Sequence, residues 1–501
     1  MKKVLLALLL IASVSACTMQ AGTESGGGTS NETEKPSGDS SSAIFTQELK
    51  DHYLRCIEIY WQDRKGVDVE KWIERQAEDG SWTDVSYVDK NTTSAWDLDE
   101  HGKRLRDLAL NWHYTGREDV LEAAKKAIRY WATSVPSNGW YRDDLYVPKS
   151  FGPSFLLLKD VLSEEEMAMA IGIMKKAYNT TGKTGFNQIA LAGNRLMYGL
   201  LIEDDQTIRD ACKEIEEVIF IAQNSEEGIQ PDMSFHQHED AGGVGDMFMY
   251  GSYGLEYAKI ASWWLMALEG TVFELSQEKH DIVYNFVQDG LRWVVWNGYY
   301  DFSALGRHIQ TNTQTSRPKL LDVAIERLGI TEDEPKGCKY FPYSDFGVYR
   351  VGNWYGSIRM QSNRIKGFEY ISNMNKKGYF SSDGAVLIRR DGDEYFNIPP
   401  LWDWHHIPGA TTYDDGKVLN MKHAVFPFNK TDLVFGKTQN DILVAAMELN
   451  RDGLTAKKAY FFFPDGVVCL GAGITNSIGH EIITTLDQCL CKGEHYADAK
   501  I

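Results

Sequence analysis

The chain has 501 residues, of which 43% are hydrophobic and 25% are charged, and its formal net charge is −19. This composition is typical of a globular protein with more than one domain, and the strong negative charge argues against nucleic acid as a partner. A site for an acidic ligand would have to concentrate positive charge locally, for which the candidates are Arg307, His308 and His238.

The first 17 residues have the features of a bacterial export signal. Two lysines precede an apolar stretch from Val4 to Ala12, and small residues then lead to Cys17. This ending resembles a lipobox and predicts a lipoprotein signal peptide over 1–17, with an ordinary secretory signal as the alternative. Residues 18–42 have almost no apolar content, which predicts a disordered tether. We expect a secreted protein, periplasmic or on the outer membrane, that meets a membrane only through a lipid anchor at Cys17.

From about residue 43 to 330, apolar residues recur at helical spacing, as in EDVLEAAKKAIRYWATSV and QTIRDACKEIEEVIFIAQ. Ser163, followed three residues later by Glu166, predicts a capping box at the start of one helix. Loops rich in aromatic residues separate the helices. This pattern predicts an α-helical (α/α) toroid over 43–330, with the loops lining its concave, catalytic face.

After about residue 335 the segments become short, β-branched or aromatic, as in FGVYRVG, AVLIRR and KAYFFF, and turn residues bound them. This pattern predicts an antiparallel β-sandwich domain over 335–501. Helices followed by strands favour two domains of an α+β protein over an alternating α/β fold. Because no clear element finishes the chain, we expect the sandwich to be incomplete here.

Four polar clusters in the helical half contain candidate catalytic side chains. TGFN contains Asn187, whose amide can donate to a carboxylate, although Asn is also typical of a helix N-cap. PDMSFHQH contains His238, and YGSYG contains Tyr250 and Tyr253, either of which could serve as base and then acid if its pKa were lowered. ALGRHI contains Arg307, which next to a phenol favours the phenolate. A structural histidine and a salt-bridged surface arginine are the alternatives.

Two further kinds of site stay open at this point. A glycoside hydrolase needs two carboxylates about 5 to 10 Å apart, and the candidate pairs are Asp143 with Asp144 and Asp232 with Glu239. A metal could be bound by the H-x-H pair together with acidic residues or other histidines; the candidate ligands are His236, His238, Glu239, Asp240, His405 and His406. That spacing is common by chance, so we expect no catalytic metal. Calcium in the β-rich half has no clear ligand motif.

The four clusters belong to a longer series of motifs. NGWYRDDLYVPKSFGPSFLLL precedes TGFN, EGIQPDMSFHQH, GSYG and GRHI, and the β-rich half adds NMNKKGYF, LWDWHHIPGATT, and CLGAGITN followed by TTLDQ. In this order they resemble polysaccharide lyase family 8, the family of hyaluronate, chondroitin AC and xanthan lyases. The resemblance covers nearly all of the chain from about residue 100 onward. It implies a carbon–oxygen lyase that cleaves a uronate-containing acidic glycan by β-elimination and needs no cofactor.

The resemblance also implies a role for each cluster. Asn187 would bind the uronate carboxylate, and His238 would assist in removing the C5 proton or in placing the substrate. Tyr253 would take that proton and then protonate the departing glycosidic oxygen, while Arg307 would hold the tyrosine or the substrate anion in place. Tyr250 competes with Tyr253 for the catalytic role.

Substrate-binding residues are implied as well. Trp140 would belong to an aromatic patch on which sugar rings stack, Asn138 would lie nearby, and Asn375 lies in the NMN motif. An acidic polysaccharide is therefore the expected partner, and the enzyme is expected to act as a monomer.

The chain departs from the family pattern at three places. EDAGGVGDMFM lengthens the segment between the catalytic histidine and tyrosine, Thr311 stands where a second arginine is usual, and Met374 stands where a glutamate is common. The departures keep a further alternative open, in which the chain is a surface glycan-binding lipoprotein with a degenerate active site.

Overall fold

The computed structural model describes residues 40–492, with gaps at 65, 88–98, 138, 179–181, 224–225, 239–246, 371–373 and 421–428. The predicted signal peptide, and the predicted tether as far as residue 39, lie outside the described residues. Residues Ser42–Ile501 form one compact unit. Among the helices of the described ranges, none is both long enough and apolar enough to cross a membrane.

Helices dominate the chain up to residue 327. They are α1 (Ser40–Tyr60), α2 (Glu70–Glu74), α3 (Asp99–Thr115), α4 (Glu118–Ser134), α5 (Val147–Leu158), α6 (Glu164–Met174), α7 (Gly185–Ile202), α8 (Asp205–Val218), α9 (Leu255–Leu268), α10 (Gln277–Asn285) and α11 (Thr313–Arg327). Turns of π-helix lie at Tyr141–Tyr146, Tyr250–Gly254 and Phe286–Gly290. Short antiparallel ribbons join β1 (Gly228–Ile229) to β2 (Phe235–His236) and β3 (Val295–Trp296) to β4 (Tyr299–Tyr300).

Local sequence signals explain where several helices begin and which face they bury. The Ser163 hydroxyl accepts the Glu166 N–H at 3.2 Å, and the Glu166 carboxylate accepts the Ser163 N–H at 2.9 Å, so the predicted capping box of α6 is confirmed. Asp204 caps α8 by accepting the Thr207 N–H at 2.9 Å. The apolar residues that recur along α4 are buried as one face; they are Val120, Leu121, Ala123, Ala124, Ala127, Ile128 and Trp131.

Helices close in sequence pack against one another and form the predicted α/α toroid. Helix α3 packs against α4 and α5, α5 against α7, α7 against α8 and α9, and α9 against α11. The odd-numbered helices α3 to α11 form the inner layer, and α4, α6 and α8 pack behind them. This inner layer supplies the wall of a central cleft.

The rest of the chain consists of antiparallel strands. One four-stranded sheet contains, in order, β5 (Gly337–Phe341), β6 (Phe346–Arg350), β7 (Tyr355–Arg359) and β8 (Ala385–Arg389). Strand β9 (Thr411–Asp414) pairs with the later strand β14 (Glu481–Thr484). The second four-stranded sheet contains β10 (Val434–Gln439), β11 (Ile442–Arg451), β12 (Leu454–Phe463) and β13 (Gly466–Asn476).

The two four-stranded sheets form a sandwich. Ile358 of the first sheet and Leu443 and Tyr460 of the second belong to one apolar core. The other face of the first sheet packs on the helical domain through residues such as Phe341 and Phe346. Because both of its faces are covered, β6 and β7 are buried along their whole length. The predicted order, a helical toroid followed by an antiparallel β-sandwich, is confirmed.

Candidate active site

The inner helices of the toroid line a cleft of about 810 Å³. Helices α1, α3, α5, α7, α9 and α11 all contribute side chains to its wall. His238, Tyr253 and Arg307, three of the four predicted catalytic residues, line the same cleft, as do Trp140 and Met374. Side chains that are widely separated in the sequence therefore meet at one cavity.

Tyr253 reaches the cleft from the π-helical turn that leads into α9. This turn is closely packed, because a Cβ atom added at Gly251 would lie only 2.9 Å from the Leu305 side chain. Tyr253 is 8% exposed, and its phenol oxygen accepts a hydrogen bond from Arg307 Nη2 at 3.2 Å. Turns of π-helix are frequent at functional sites, where they reorient a single side chain.

A carboxylate that the sequence analysis missed joins two of these residues. The Glu369 side chain is fully buried, and its Oε2 accepts from Arg307 Nη1 at 2.5 Å while its Oε1 accepts from His238 Nδ1. A methionine at position 374 was expected to leave the site without a charged supporting residue. Glu369, five residues earlier, supplies that charge instead. The available signal was an acidic residue flanked by aromatic ones, in GFEYIS, just before the NMN motif.

The charges of this cluster settle its proton positions. Burial would raise the pKa of Glu369, but the hydrogen bond from His238 and the charge of Arg307 outweigh it and lower that pKa to about 2. Burial raises the pKa of the Tyr253 phenol, and the opposing charge and hydrogen bond of Arg307 do not offset it. At neutral pH the cluster therefore holds a carboxylate on Glu369, a guanidinium on Arg307 and a protonated phenol on Tyr253.

Neighbouring residues hold both the backbone and the imidazole ring of His238 in place. Its backbone lies in the left-handed region with a φ of 66°, and the ammonium group of Lys366 donates to its carbonyl oxygen at 2.9 Å. Because Glu369 accepts from Nδ1, the proton of the neutral ring lies on that nitrogen and Nε2 keeps its lone pair. The imidazole also packs edge-on against Tyr253, with the ring centres 4.7 Å apart.

Family models cover almost all of the described chain. The N-terminal alpha-helical domain of polysaccharide lyase family 8 matches residues 63–334, and the super-sandwich domain of the same family matches residues 336–501. The chain belongs to polysaccharide lyase family 8. The resemblance inferred from the motifs is thereby confirmed.

Individual members of family 8 are similar along most of this chain. Chondroitinase-AC of Pedobacter heparinus is 29% identical over 459 residues, covering 85% of this chain and 64% of that protein. The hyaluronate lyase of Thermasporomyces composti is 22% identical over 500 residues, covering 84% of this chain and 62% of that protein. The chain thus spans slightly less than two thirds of the length of these relatives.

Solved structures show the same architecture. A chondroitinase AC lyase solved with oligosaccharides superposes with a TM-score of 0.76 at 26% identity, covering 90% of this chain and 70% of that one. The chondroitin AC lyase of Streptomyces coelicolor, solved with chondroitin sulphate, gives a TM-score of 0.72 at 18% identity, covering 91% and 70%. The second likeness concerns the fold alone.

Tyr250 and His308 do not have the roles in the cleft that the sequence suggested for them. Tyr250 is fully buried, donates its hydroxyl to the Met233 carbonyl and does not line the described wall of the cleft, whereas Tyr253 does. The catalytic role of Tyr253 stays a prediction. His308 lines the cleft, but burial and the nearby charge of Arg307 lower its pKa to about 3. His308 is therefore neutral at physiological pH and cannot supply the positive charge considered for it.

Asn187 lies at the third residue of α7 and is 8% exposed. Its side chain does not line the cleft, although the preceding Phe186 does and packs its ring 5.4 Å from that of Tyr253. Within the described ranges, no residue donates a hydrogen bond to the buried side-chain oxygen of Asn187. Asn187 is thus next to the cluster rather than in it, and its role as carboxylate ligand stays a prediction.

The predicted substrate-binding residues have different environments. Trp140 is 39% exposed in the cleft, with the Lys183 ammonium 3.7 Å from its ring centre. Asn375 donates to the Glu369 carbonyl at 3.0 Å and lines a small separate cavity rather than the cleft. Asn138 lies outside the described residues. Trp140 is therefore the one of these three that the structure brings to the cleft.

The described members of the carboxylate pairs considered for a hydrolase are absent from the described cleft wall. Asp143 pairs with Arg142 at 2.9 Å, and Asp232 accepts backbone N–H groups at 2.8 and 2.9 Å. Asp143, Asp144 and Asp232 do not line the described wall of the cleft, and Glu239 lies outside the described residues. The carboxylates that do line its described wall, Asp99 and Glu256, are each paired with a lysine, at 2.7 and 2.8 Å.

The candidate metal ligands that the structure describes likewise do not come together as one group. His236 hydrogen-bonds Ser344 at 2.9 Å and His238 binds Glu369, whereas His405 lies in the β domain with Asp414 and Asp415. His406 pairs with Asp403, and Glu239 and Asp240 lie outside the described residues. The ligand atoms of the His405 group lie within 4.8 Å of one another. An imidazole with two carboxylates differs from the oxygen-only set that calcium prefers.

Proposed function

We propose that this chain is a polysaccharide lyase that cleaves a uronate-containing acidic glycan, hyaluronan-like or chondroitin-like, and leaves unsaturated uronate ends. The observation that carries the proposal is the buried contact of the Tyr253 phenol with Arg307 beside His238. It combines a proton donor, a cation and an imidazole at one point of a cleft. The names of the relatives, chondroitinase-AC and hyaluronate lyase, agree with this substrate class.

The charge of the cleft supports an acidic substrate. Although the chain as a whole is negative, the described lining contains many more cations than anions. The cationic residues are Lys103, Arg106, Arg142, Lys149, Lys259, Arg307, Arg317 and Arg327, whereas the acidic ones are Asp99 and Glu256. A cleft lined by one sign of charge attracts and retains a ligand of the opposite sign.

The elimination follows from the arrangement of the tyrosine and the arginine. Because burial keeps Tyr253 protonated in the free cleft, the reaction starts from the less abundant phenolate, which the Arg307 charge stabilises. The phenolate takes the C5 proton of the uronate, and the electrons of that bond form the C4–C5 double bond. The C4–O4 bond breaks, and the phenol returns the proton to O4.

The neighbouring residues prepare this proton transfer. Glu369 fixes the Arg307 guanidinium and the His238 tautomer together, so that Nε2 of His238 is left as a hydrogen-bond acceptor. The uronate carboxylate has to be neutralised for C5 to become acidic, and Asn187 is the predicted ligand. Trp140 offers an apolar ring for a sugar.

The test offers purified protein hyaluronan, chondroitin sulfates and xanthan in turn, while the ultraviolet absorbance of the unsaturated uronate is followed. We expect a rise with at least one glycan and none with the Tyr253→Phe variant, whose ring is preserved. Glycan binding without any rise would refute the proposal and favour a binding protein with a degenerate site.

We also propose that the chain is exported and anchored by lipid at Cys17. The support is the basic, apolar and small-residue order of the first 17 residues. Cells that express the full chain should incorporate radiolabelled palmitate into it, and the Cys17→Ala variant should not.

We further propose that the protein is a monomer. Light scattering of the chain without residues 1–42 should give the mass of a monomer; a dimer mass would contradict that expectation.

A further inference from the structure

A buried glutamine next to His238 connects two parts of the site that are distant in the sequence. Gln237 is 1% exposed and follows β2, whereas Phe186 lies 51 positions earlier in the first turn of α7. The Gln237 side-chain oxygen accepts the Phe186 N–H at 3.0 Å. The first N–H groups of a helix have no partner within the helix. Gln237 therefore caps α7 from a separate segment.

The other end of the same amide is also engaged. Its nitrogen donates to the Thr184 carbonyl oxygen at 3.4 Å and to the Glu227 carboxylate. Thr184, the residue before α7, makes no cap of its own and instead donates its hydroxyl to Glu227. Glu227 precedes β1, directly across the ribbon from Gln237. Both ends of the Gln237 amide are thus fixed, and its orientation is determined.

Gln237 lies so close to the first turn of α7 that there is no room for a side chain at position 185. Gly185 has a φ of 52°, and a Cβ atom there would lie 2.4 Å from the Gln237 side-chain oxygen. A left-handed glycine at this point allows the helix terminus to reach the amide. The two segments are therefore fitted to each other at the level of their backbones.

Both connected segments present a ring to Tyr253. Phe186 packs edge-on at 5.4 Å between ring centres, and His238, the neighbour of Gln237, packs edge-on at 4.7 Å. His238 also has left-handed backbone geometry, which persists only where its surroundings enforce it. A shift of α7 relative to the His238 segment would move both rings with respect to the phenol.

We propose that Gln237 is a positioning residue, whose side-chain amide holds the first turn of α7 against His238 and so fixes the two rings that pack on Tyr253. It acts through these neighbours and does not line the cleft. This inference rests on the proposed lyase function for its kinetic consequence. Its structural part, the connection between Gln237 and Phe186, can be measured independently.

The test replaces Gln237 by methionine, which has a similar length and makes no comparable hydrogen bond. The matched control is Gln230→Met, because Gln230 is equally buried in the same region and its side-chain nitrogen donates to the backbone oxygens of residues 226 and 228. We expect Gln237→Met to lower kcat by roughly 10- to 100-fold, with a smaller change in KM, since small misplacements of reacting groups cost that much. Gln230→Met should keep kcat even where its melting temperature falls.

A swap of charges separates positioning from simple loss of stability. Gln237→Glu alone places a second carboxylate beside Glu227 and should lower kcat. Combining it with Glu227→Gln restores a donor and an acceptor at this contact and should recover most of the rate. An equal kcat loss in Gln237→Met and Gln230→Met, or no recovery in the double variant, would overturn the proposal.

Hydrogen exchange provides a measurement that does not depend on activity. The Phe186 amide should exchange faster in Gln237→Met than in wild type, and should be unchanged in Gln230→Met. Unchanged exchange at Phe186 in both variants would overturn the positioning role. If the wild-type protein cleaves no glycan, the proposed function fails, and this exchange experiment still decides whether Gln237 fixes α7.

Discussion

Replacing Glu369 by glutamine removes one negative charge from the centre of the site without changing the shape of the side chain. Both carboxylate oxygens accept hydrogen bonds, one from His238 and the other from Arg307 at 2.5 Å, and the side chain is fully buried. In the variant the amide nitrogen has to face one of these two donors. If it faces Arg307, a buried guanidinium donor is left without an acceptor. If it faces His238, it can donate only to the other tautomer of the ring, in which Nδ1 accepts and the proton lies on Nε2.

The expected loss of stability can be obtained in two ways. Removing one partner of a buried ion pair costs about 3 to 5 kcal/mol. The pKa of Glu369, about 2 compared with an ordinary 4.5, corresponds to about 3 kcal/mol at neutral pH. We therefore expect the free energy of unfolding to fall by about 3 kcal/mol. The kcat should fall by roughly 10²- to 10⁴-fold, since Arg307 and the His238 tautomer both lose their support.

The assay combines urea unfolding at neutral pH with initial rates of unsaturated uronate formation. Asp383→Asn is the matched control, because Asp383 is also fully buried and pairs with Arg451 at 3.2 Å, yet does not line the cleft. It should keep its kcat, and it should lose less free energy of unfolding than Glu369→Gln, because burial raises the pKa of Asp383 in spite of the Arg451 charge. The reasoning is refuted if Glu369→Gln keeps more than about a tenth of the wild-type kcat. It is also refuted if Asp383→Asn loses as much kcat as Glu369→Gln.

Three further predictions follow from the same geometry. The kcat/KM should rise with pH over roughly pH 6 to 9, because burial raises the pKa of Tyr253 and the phenolate is the base; a flat profile would argue for another base. The contribution of ionised Glu369 to the free energy of unfolding is complete above its ordinary pKa of 4.5 and is lost as the pH falls towards about 2. In urea titrations between these pH values, the free energy of unfolding should therefore fall less steeply with decreasing pH for Glu369→Gln than for wild type. Trp140→Ala should raise KM more than it lowers kcat, because its 39% exposed ring offers sugar-stacking area; an unchanged KM would remove Trp140 from the substrate site.

Local patterns were sufficient for much of the fold. The apolar spacing of α4 and the Ser163–Glu166 capping box each depend on residues within one or two helical turns, and both are present in the structure. The change to short β-branched segments likewise predicted the antiparallel sheets. The π-helical turn at Tyr250–Gly254 was not predicted, because a single extra residue in a turn leaves no periodic signal.

Contacts between residues of the site that are distant in the sequence could not be predicted from such local patterns. His238 and Glu369 are 131 positions apart, so their contact depends on how the toroid and the sandwich pack. Motif order alone left Tyr250 and Tyr253 as competitors; in the structure both are buried, and of the two Tyr253 lines the cleft. Asn187, the third residue of α7, does not line the described wall of the cleft, whereas Phe186 does, so its catalytic role stays a prediction.

Cleavage in water labelled with heavy oxygen tests the central claim most directly. β-Elimination breaks the C4–O4 bond without adding water, so mass spectrometry should find no label in either product and an unsaturated uronate at one new end. The Tyr253→Phe variant should form neither product. One labelled oxygen in the products, with no unsaturated end, would show hydrolysis and would contradict the account.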